Sequence, residues 1–379
     1  MARRPEITAV DAMPVAVTGL RAFRISEGAT KTHHSVLLRL RSSEPGLDGW
    51  AEIVSAPPGK PEEFTEEIVG AVRRFVAPAL IGVPIEERAR ANARVAAVLK
   101  GRAWTKAGVD VALHDLQARH LGIPVHDLLG GRQRREVPVI GPVIGIEAPD
   151  RMAAMAVEQA GQGLRTIKLK LGETVALDVA RVQAVREAVG PDVALRVDAN
   201  DHYRPADAIR LIRAIERFAP DHVEQPIPRG DLLGLAAVQA AVGVPIMTDD
   251  SVATLEDAVT VIRLAAAQRV KVKVTKHGLT GAAAILRTLE AAGVACVLGH
   301  VFEMGLAAAA EAHLGLVAGN LVFPCEIGSL RPMGSTADIV TEELFAAPGV
   351  LRLPEGPGLG VTLDHAAVQR LGPAAAARG

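Results

Sequence analysis

The chain has 379 residues, 49% hydrophobic and 22% charged, a composition typical of a globular protein that excludes a disordered chain and a collagen-like repeat. Its 42 basic and 43 acidic side chains give a net charge of −1, so no basic excess indicates a nucleic-acid partner, and no apolar run reaches the ~18 residues of a membrane span. Two cysteines are too few for a disulfide framework, and no apolar segment follows the N-terminus, so we expect a cytoplasmic protein without a secretory signal.

The first part of the chain has the pattern of an α+β unit. Two strands are predicted at Val36–Leu40 and Gly49–Val54, separated by a turn-rich stretch. Three helical patterns follow, over residues 62–80, 85–99 and 105–120. Because strands are followed by helices, we expect an α+β capping domain over residues 1–133.

From Val137 onward, short β-like runs alternate with Ala-rich helical stretches. The eight predicted strands are Val137–Ile140, Thr166–Leu171, Ala194–Val197, Asp221–Glu224, Pro245–Thr248, Val270–Val274, Ala295–Leu298 and Leu321–Phe323. An open doubly wound sheet is the main alternative, but no Gly-x-Gly-x-x-Gly turn follows the first strand to support it. The sequence therefore predicts an α/β fold with a modified TIM-type (β/α) barrel over residues 134–340. We expect the Pro/Gly-containing remainder, 341–379, to return to the capping domain.

Acidic side chains recur at the ends of three consecutive predicted strands. Asp198, Glu224 and Asp249 follow one another at steps of 26 and 25 residues, about one βα unit each. They would meet at the carboxyl-terminal rim of a barrel, where barrel enzymes carry out their chemistry. One such Asp can simply cap the next helix, but three in register would repel one another unless a cation lies between them. All-oxygen ligation suits Mg²⁺, with Mn²⁺ as a substitute.

Paired lysines occupy two of the predicted strands. Lys168 and Lys170 are two residues apart, so both point to the same face of a strand. Each ammonium group, together with a nearby metal ion, would lower the pKa of the other, and a lysine with a lowered pKa can act as a general base. Lys271 and Lys273 repeat the pattern on the sixth strand, across the barrel from the second. For Lys271 we favour a solvated or salt-bridged role over a catalytic one.

The ordered set of motifs resembles the muconate-lactonizing-enzyme branch of the enolase superfamily, within the mandelate racemase/muconate lactonizing enzyme family. The motifs are Lys168-x-Lys170, Asp198-x-Asn200, Glu224-Gln-Pro226, Asp249 and Lys273, with Gly49-Trp-Ala-Glu52, Ala112-Leu-His-Asp115, Leu128-Leu-Gly-Gly131 and Gly356-Pro-Gly-Leu-Gly360 elsewhere. The similarity covers nearly the whole chain. A single Lys-x-Lys would be weak evidence, whereas this ordered set is specific.

The resemblance implies that a metal ion binds a substrate carboxylate, and that a base then removes the proton from the adjacent carbon to give an enediolate. It implies metal ligation by Asp198, Glu224 and Asp249. It also implies acid/base roles for Lys170 and Lys273. Lys168 would support the carboxylate and lower the pKa of Lys170, and Asn200 would orient ligands by hydrogen bonds.

Four positions qualify the resemblance. Asp250 stands where the family often has Glu. His300 follows the seventh strand, as does the catalytic His of the mandelate-racemase branch, but Lys273 replaces that histidine's Asp partner. We therefore expect His300 to contact substrate or a neighbouring group rather than act as the base, and Glu303 to be structural. Glu326 matches the acidic position of the eighth strand, and Pro324-Cys325-Glu326 replaces the Asp-x-Asp of dipeptide epimerases, which argues against that activity.

The favoured function is racemisation, epimerisation or cycloisomerisation of a small carboxylic acid. A dehydratase or o-succinylbenzoate-synthase-like lyase is the alternative, because it begins with the same enediolate chemistry. A Schiff-base aldolase using Lys170 or Lys273 leaves the three carboxylates unexplained. A catalytically silent scaffold is disfavoured because all the expected polar positions are filled. The expected partner is a small-molecule carboxylate, and we expect a homo-oligomer.

Two loops of the capping domain, Val17–His34 and Ile53–Lys60, are expected to cover the barrel mouth. The first contains several basic side chains: Arg21, Arg24, Lys31, His33 and His34. A basic loop would favour a substrate with a second anionic group, such as a dicarboxylate or an N-acylated amino acid. An ordinary solvated loop is the alternative.

Overall fold

The computed structural model of the chain describes residues 4–18, 23–26, 28–56, 62–328, 330, 335, 337–345 and 347–372. None of the helices in these ranges combines the length and the apolar character needed to cross a lipid bilayer.

The N-terminal domain begins with an antiparallel sheet. Its strands and an adjoining hairpin are β1 Ile7–Val17, β2 Phe23–Ile25, β3 Gly28–Thr30, β4 His33–Ser42 and β5 Asp48–Ser55. The sheet order is β1-β4-β5, and β2 pairs with β3. The two predicted strands lie within β4 and β5, where Val36, Leu38 and Leu40 are fully buried at a spacing of two. The long strand β1 was not predicted.

Helices pack against this sheet. They are α1 Thr65–Ala71, a π-helical turn Val72–Val76, α2 Ala77–Leu80, α3 Arg88–Val98, α4 Ala103–Leu121 and α5 Val125–Leu128. Helix α4 approaches the sheet closely at Gly108, because a Cβ there would lie 2.2 Å from Ile53 Cγ1. Gly122, with φ of 68°, ends α4 in the left-handed conformation that favours glycine. The three predicted helical segments all contain helices.

The second part of the chain alternates strands and helices. The elements are β6 Val137–Pro138, α6 Pro149–Gly161, β7 Thr166–Lys170, α7 Val175–Val189, β8 Ala194–Asp198, α8 Pro205–Ile215, a 3₁₀ turn Glu216–Phe218, β9 Pro220–Glu224, α9 Leu232–Ala241, β10 Ile246–Thr248, α10 Leu255–Leu264, β11 Arg269–Val272, α11 Val274–Ala291, β12 Ala295–Leu298, α12 Gly305–Val317, β13 Val350–Leu351 and α13 His365–Arg370. Strands β7 to β12 form one parallel sheet in sequence order. The predicted α/β fold is confirmed: a curled parallel β/α domain follows an antiparallel-sheet domain.

The barrel is completed by isolated bridges rather than by full strands. The parallel bridges join Cys296 to Leu321, Gly299 to Glu326, Val139 to Cys325 and Ile144 to Leu169. The predicted first and eighth strands are therefore irregular, and Val137–Pro138 pairs instead with β13. The predicted sixth strand, Val270–Val274, extends too far, since β11 ends at Val272. Helix α11 begins at Val274, whose backbone N–H donates to the Glu311 side chain instead of to a neighbouring strand.

The C-terminal segment contacts the N-terminal domain. The backbone N–H of Leu359 donates to Asp115 Oδ1 at 2.8 Å, and that of Ala16 donates to the Leu371 carbonyl at 2.8 Å. The predicted division at residues 133 and 340 stays a prediction.

Candidate active site

Five of the predicted site residues lie at the end of, or directly after, neighbouring strands of the parallel sheet. Lys170, Asp198 and Glu224 end β7, β8 and β9, and they are successive partners in the sheet register. Asp249 directly follows β10, and Lys273 directly follows β11. The parallel sheet therefore gathers the three predicted metal ligands and both predicted acid/base lysines at its carboxyl-terminal edge.

The two predicted acid/base lysines lie at opposite ends of the row of carboxylates. Lys170 Nζ donates to Asp198 Oδ2 at 2.7 Å and to Asn200 Oδ1 at 2.9 Å. Lys273 Nζ donates to Asp249 Oδ2 at 2.7 Å. Asn200 also donates its backbone N–H to Asp198 Oδ1 at 3.0 Å, so it holds both Lys170 and Asp198 in place.

Glu224 is bound by two further lysines. Lys168 Nζ donates to Glu224 Oε2 at 2.5 Å and to Glu326 Oε2 at 2.6 Å. Lys271 Nζ donates to both oxygens of Glu224 and to Glu326 Oε2, each at 2.6 Å. Lys271 is thus salt-bridged, as we favoured, but it is buried rather than solvated.

Lys168 differs from its sequence-based interpretation. We expected the pKa values of Lys168 and Lys170 both to be lowered. Burial does act in that direction on Lys168, but the carboxylates of Asp198, Glu224 and Glu326 outweigh it and hold the pKa of Lys168 well above its usual range. Lys168 is therefore a permanent cation in this arrangement.

The pKa of Lys170 is lowered, as predicted. Burial lowers the pKa of Lys170, and the ammonium of Lys168 adds to this effect while Asp198 opposes it. Burial also raises the pKa of Glu224 to about 7, with a further contribution from Asp198. The pKa of Asp249 is held well below its usual range because Lys273 and Lys276 outweigh its burial.

Asp250 belongs to an ion-pair network around Asp249. Lys276 Nζ donates to Asp249 Oδ1 at 2.6 Å and lies 2.5 Å from Asp250 Oδ1, and Arg229 lies 3.0 Å from Asp250 Oδ2. Asp250 therefore shares a lysine with the predicted ligand Asp249. Sequence reasoning missed Lys276, which lies in the first turn of α11, where no strand periodicity indicates its direction.

His300 lies beside the lysines, and no Asp among the described residues pairs with it. The backbone N–H of Phe302 donates to His300 Nδ1 at 3.0 Å, and Glu303 Oε2 is 3.6 Å from the same nitrogen. Glu303 Oε1 accepts hydrogen bonds from the Val301 backbone and from Thr275 Oγ1, each at 2.9 Å, as a structural residue would. Burial holds the pKa of His300 well below its usual range, and the nearby lysines act in the same direction.

Glu326 is buried, and both of its carboxylate oxygens accept hydrogen bonds. Lys168 and Lys271 donate to Oε2, and Arg196 donates to Oε1 at 3.2 Å. Its side chain is 1% exposed, as is that of Asp198. The argument against dipeptide epimerisation stays a prediction.

A buried polar layer beneath the rim was not predicted. Arg196 and His222 lie on β8 and β9, two residues before Asp198 and Glu224, as Lys271 lies two before Lys273. A spacing of two places a strand's side chains on one face, so this signal was present in the sequence. Arg196 donates to Asp221 at 3.0 Å and to the Pro324 carbonyl at 2.8 Å, which ties β8 to the eighth-strand segment.

One group of possible metal ligands shares only Glu224 with the predicted set. The ligand atoms of His222, Glu224 and Glu326 lie within 4.8 Å of one another, the one such trio in the described part of the chain. However, Arg269 donates to His222 Nδ1 at 2.8 Å, which leaves the imidazole proton on Nε2. In this tautomer neither nitrogen of His222 is free to bind a metal. The ligand atoms of Asp198, Glu224 and Asp249 do not all lie within the same 4.8 Å of one another, so their role as metal ligands stays a prediction.

The capping loops are described in part. Arg21 and residues 57–60 lie outside the described residues. Arg24 forms an ion pair with Glu173, and His33 is buried against Ser35 Oγ at 2.8 Å. These two side chains already have partners, and the expectation of a second anion site in this loop stays a prediction.

The fold and the arrangement of lysines and carboxylates define a class: barrel proteins with a capping domain and a carboxylate-lined site at the strand ends. Residues 8–130 match the family model of the mandelate racemase/muconate lactonizing enzyme N-terminal domain. Residues 151–367 match that of the enolase C-terminal domain-like family. The chain belongs to the mandelate racemase/muconate lactonizing enzyme family of the enolase superfamily, with relatives in its muconate-lactonizing-enzyme subgroup.

Relatives with different activities cover most of the chain. L-Ala-D/L-Glu epimerase from Bacillus subtilis (strain 168) is 31% identical over 362 residues, 94% of this chain and 96% of the relative. Muconate cycloisomerase 1 from Rhodococcus opacus is 32% identical over 342 residues, 89% of this chain and 91% of the relative. The structure of a dipeptide epimerase from Cytophaga hutchinsonii, complexed with Mg and the dipeptide D-Ala-L-Val, superposes with a TM-score of 0.90 at 28% identity and covers 97% of this chain and 98% of that one.

Proposed function

We propose that the chain catalyses reversible proton transfer at the carbon adjacent to the carboxylate of a small carboxylic acid, as a racemase or epimerase. The observation that carries this proposal is the placement of Lys170 and Lys273 at opposite ends of the carboxylate row. Lys170 ends β7 and Lys273 directly follows β11, and three other strands separate these two strands. A substrate carbon between them can lose its proton to one lysine and receive a proton from the other on the opposite face.

The carboxylate row fits a divalent cation. Asp198, Glu224 and Asp249 are buried, and they offer hard oxygen donors of the kind that Mg²⁺ prefers. Lysines form ion pairs with all three carboxylates, so these groups attract positive charge at this point. We propose that these residues hold Mg²⁺, with Mn²⁺ as a substitute. The bound cation would supply positive charge beside the substrate's carboxylate.

The chain's own residues prepare the proton transfer. The lowered pKa of Lys170 increases its unprotonated fraction, and Asn200 fixes its ammonium position by the 2.9 Å hydrogen bond. Lys168 stays charged and contributes a permanent positive charge at the same edge, where negative charge develops on the substrate. We propose that Lys168 acts on both directions of the reaction, whereas Lys170 and Lys273 each act on one face.

Cycloisomerisation is the second candidate function. It begins with the same enediolate chemistry or its reverse, and the similarity to muconate cycloisomerase 1 over 89% of this chain favours it. A dehydrating lyase shares the first step as well. The product distinguishes the three reactions: an inverted centre without mass change, a new ring, or loss of water.

The experiment is ¹H NMR in D₂O across a library of carboxylic acids, with the full chain and added Mg²⁺. The proposal predicts loss of the α-proton signal and conversion of either enantiomer of a substrate to the racemate. Loss of water or ring formation would replace the racemase proposal by the lyase or cycloisomerase. An adduct trapped by borohydride with a carbonyl substrate would instead indicate a Schiff-base aldolase and overturn the proposal.

A further inference from the structure

The hairpin of strands β2 and β3 in the N-terminal domain packs on loops of the barrel. The backbone N–H of Ile146 donates to the Arg24 carbonyl at 2.9 Å, and the Arg24 side chain forms an ion pair with Glu173, in the loop after β7. The Phe23 ring lies edge-on to that of Phe302, a left-handed residue with φ of 66°, with centroids 4.7 Å apart. The hairpin is thus fastened to the barrel beside the end of β7.

Ser26, in the turn of this hairpin, reaches the loop that follows β8. Its hydroxyl donates to the Asn200 carbonyl at 2.9 Å. Its Cβ faces Gly172, where an added Cβ would lie 2.5 Å away and where φ is 131°, so residue 172 has room only for glycine. Gly172 comes two residues after Lys170, and Asn200 comes two residues after Asp198. Ser26 therefore contacts the loops that follow two proposed site residues.

The peptide unit between Asn200 and Asp201 is held on both sides. Its carbonyl accepts the hydrogen bond from Ser26, and its N–H donates to the Gln225 carbonyl at 3.0 Å. Asn200 and Asp201 are both left-handed, with φ of 41° and 64°, and this conformation costs energy in residues that have a side chain. The two hydrogen bonds stabilise the loop in that conformation.

Asn200 transmits this constraint to Lys170. Its side-chain Oδ1 accepts a hydrogen bond from Lys170 Nζ at 2.9 Å, and its backbone N–H donates to Asp198 Oδ1 at 3.0 Å. A rotation of the following peptide would change the backbone angles of Asn200 and move its side chain away from Lys170. The described residues of the hairpin form no hydrogen bond or ion pair with Lys273, whose Nζ is bound at the other end of the carboxylate row. The constraint therefore acts at one end of the row.

We propose that Ser26 is a positioning residue for Lys170: its hydroxyl holds the Asn200–Asp201 peptide, and Asn200 in turn holds the lysine ammonium group. This inference rests on the proposed function, because it concerns one of the two lysines that transfer the proton. Packing of the hairpin on the barrel and alignment of Lys170 are then coupled, so the capping domain acts on one face of the substrate. Proton transfer at Lys273 does not depend on Ser26.

Ser26→Ala tests the coupling by the rates for separate enantiomers. The measurement is α-proton exchange in D₂O, by ¹H NMR, for the full chain with Mg²⁺. The enantiomer that belongs to Lys170 is the one whose exchange Lys170→Ala abolishes. For this enantiomer we expect kcat to fall by about tenfold and KM to stay within about twofold, since a misplaced proton-transfer group slows the chemical step. The opposite enantiomer should keep its rate within about twofold. Equal losses for both enantiomers, or no loss, would overturn the proposal.

A double variant shows whether Ser26 acts through Asn200. Asn200→Gly removes the amide and tolerates the left-handed conformation, so it should cause the same one-sided loss. In its background Ser26→Ala should cause no further loss, and additive losses would contradict the proposal.

Ser42→Ala is the matched control. Ser42 Oγ likewise donates to a backbone carbonyl at 2.9 Å, that of Leu47, in a turn of the same domain. Both of its rates should stay within about twofold of the wild type. A one-sided loss in this control would show that the effect is not specific to Ser26 and would overturn the proposal.

Hydrogen–deuterium exchange measured by mass spectrometry separates this inference from the proposed function. Backbone amides of residues 199–203 should exchange faster in Ser26→Ala than in the wild type, and those of residues 249–253 should not. This result, without any α-proton exchange by the wild type, would overturn the proposed function and leave the role of Ser26 in holding the loop standing. Exchange of both enantiomers with the expected lysine dependence, but with an unchanged loop and unchanged rates in Ser26→Ala, would do the reverse.

Discussion

Asp249 has each of its carboxylate oxygens bound by a different lysine, Oδ1 by Lys276 at 2.6 Å and Oδ2 by Lys273 at 2.7 Å. It is therefore ionised and fixed in direction. Asp249→Asn removes the charge and retains the size, so we expect Mg²⁺ affinity to fall by at least about tenfold. Isothermal titration calorimetry on the full chain measures this. Circular dichroism should show an intact fold, since the residue lies at the rim.

His222→Gln is the matched control for the metal site. His222 belongs to the alternative trio with Glu224 and Glu326, but Arg269 occupies its Nδ1. We expect the Mg²⁺ affinity of this variant to stay within about twofold of the wild type. If His222→Gln weakened binding and Asp249→Asn did not, the cation would belong to the other trio.

Glu303 gives a prediction for stability against pH. Burial raises the pKa of Glu303 to about 7, and hydrogen bonds such as that from Val301 oppose the shift only in part. Because the folded state holds this proton more tightly than the unfolded state does, the free energy of unfolding falls as the pH rises from about 4.5 to about 7.

Glu303→Gln keeps the acceptor for Val301 and Thr275 but removes the titration. Between pH 5 and 8 the wild type should lose about 2 to 3 kcal/mol more stability than the variant. Urea unfolding at the two pH values measures the difference. Identical pH dependence in the two proteins would show that Glu303 does not titrate in this range.

At the scale of single residues, the site was predictable where strand periodicity applies. The residues at the strand ends could be placed because consecutive βα units bring them to one edge. Arg196, His222 and Lys271 follow from the same spacing, two positions earlier. Lys276 and Phe302 could not be found in this way, because a helical turn and a left-handed loop set their directions.

Helix α11 begins immediately after Lys273, and a neighbouring helix caps it. Glu311, on α12, accepts the backbone N–H of Val274 at 2.5 Å. Burial, with Glu303 nearby, holds the pKa of Glu311 well above its usual range. This contact fixes the backbone from which the Lys273 side chain extends.

Glu311→Gln and Glu311→Leu form a matched pair for this element. The glutamine keeps the acceptor and should leave stability nearly unchanged. The leucine leaves the Val274 N–H without a partner, which should lower the free energy of unfolding by about 1 to 3 kcal/mol and slow proton transfer on the Lys273 side. Urea unfolding and α-proton exchange measure the two effects, and equal stability of the two variants would refute the capping role.

Regular elements were more predictable than irregular ones. Helix and strand alternation located β7 to β12, whereas the first and eighth strand segments are held by isolated bridges that local sequence does not encode. Strand β1 was missed because Pro14 interrupts its pattern. Proline is tolerated there because β1 is an edge strand that pairs with β4 alone.

At the scale of the whole molecule, carboxylates of the N-terminal domain bind backbone N–H groups of the barrel. Glu52 accepts the N–H of Met304 at 3.0 Å, at the start of α12. Asp110 accepts the N–H of Thr280 at 2.8 Å, just after the kink of α11 at Gly278. These buried contacts predict that the two domains unfold together.

The chain offers one natural probe for each domain. Both tryptophans, Trp50 and Trp104, lie in the N-terminal domain, and both cysteines, Cys296 and Cys325, are buried in the barrel. In urea, tryptophan fluorescence and thiol labelling should report the same midpoint. Asp110→Ala should lower the free energy of unfolding reported by both probes by about 1 to 3 kcal/mol, so that both midpoints shift together.

Asp11→Ala is the control for this test. Asp11 bonds Arg41 at the exposed surface, so its loss should change stability by less than about 0.5 kcal/mol. A fluorescence transition that clearly precedes thiol exposure would contradict the coupling of the domains. The homo-oligomer that we expect stays a prediction, because the residue pattern of one chain does not specify how copies associate.

The division of labour between Lys170 and Lys273 is the most direct test of the central claim. The measurement is α-proton exchange in D₂O for each separate enantiomer of a substrate, with the wild type and single alanine variants. Lys170→Ala should abolish exchange for one enantiomer and spare some for the other, and Lys273→Ala should do the reverse. Lys168→Ala should slow both. Full turnover in both directions by Lys273→Ala would contradict the account and leave Lys170 as a single base in a lyase or cycloisomerase.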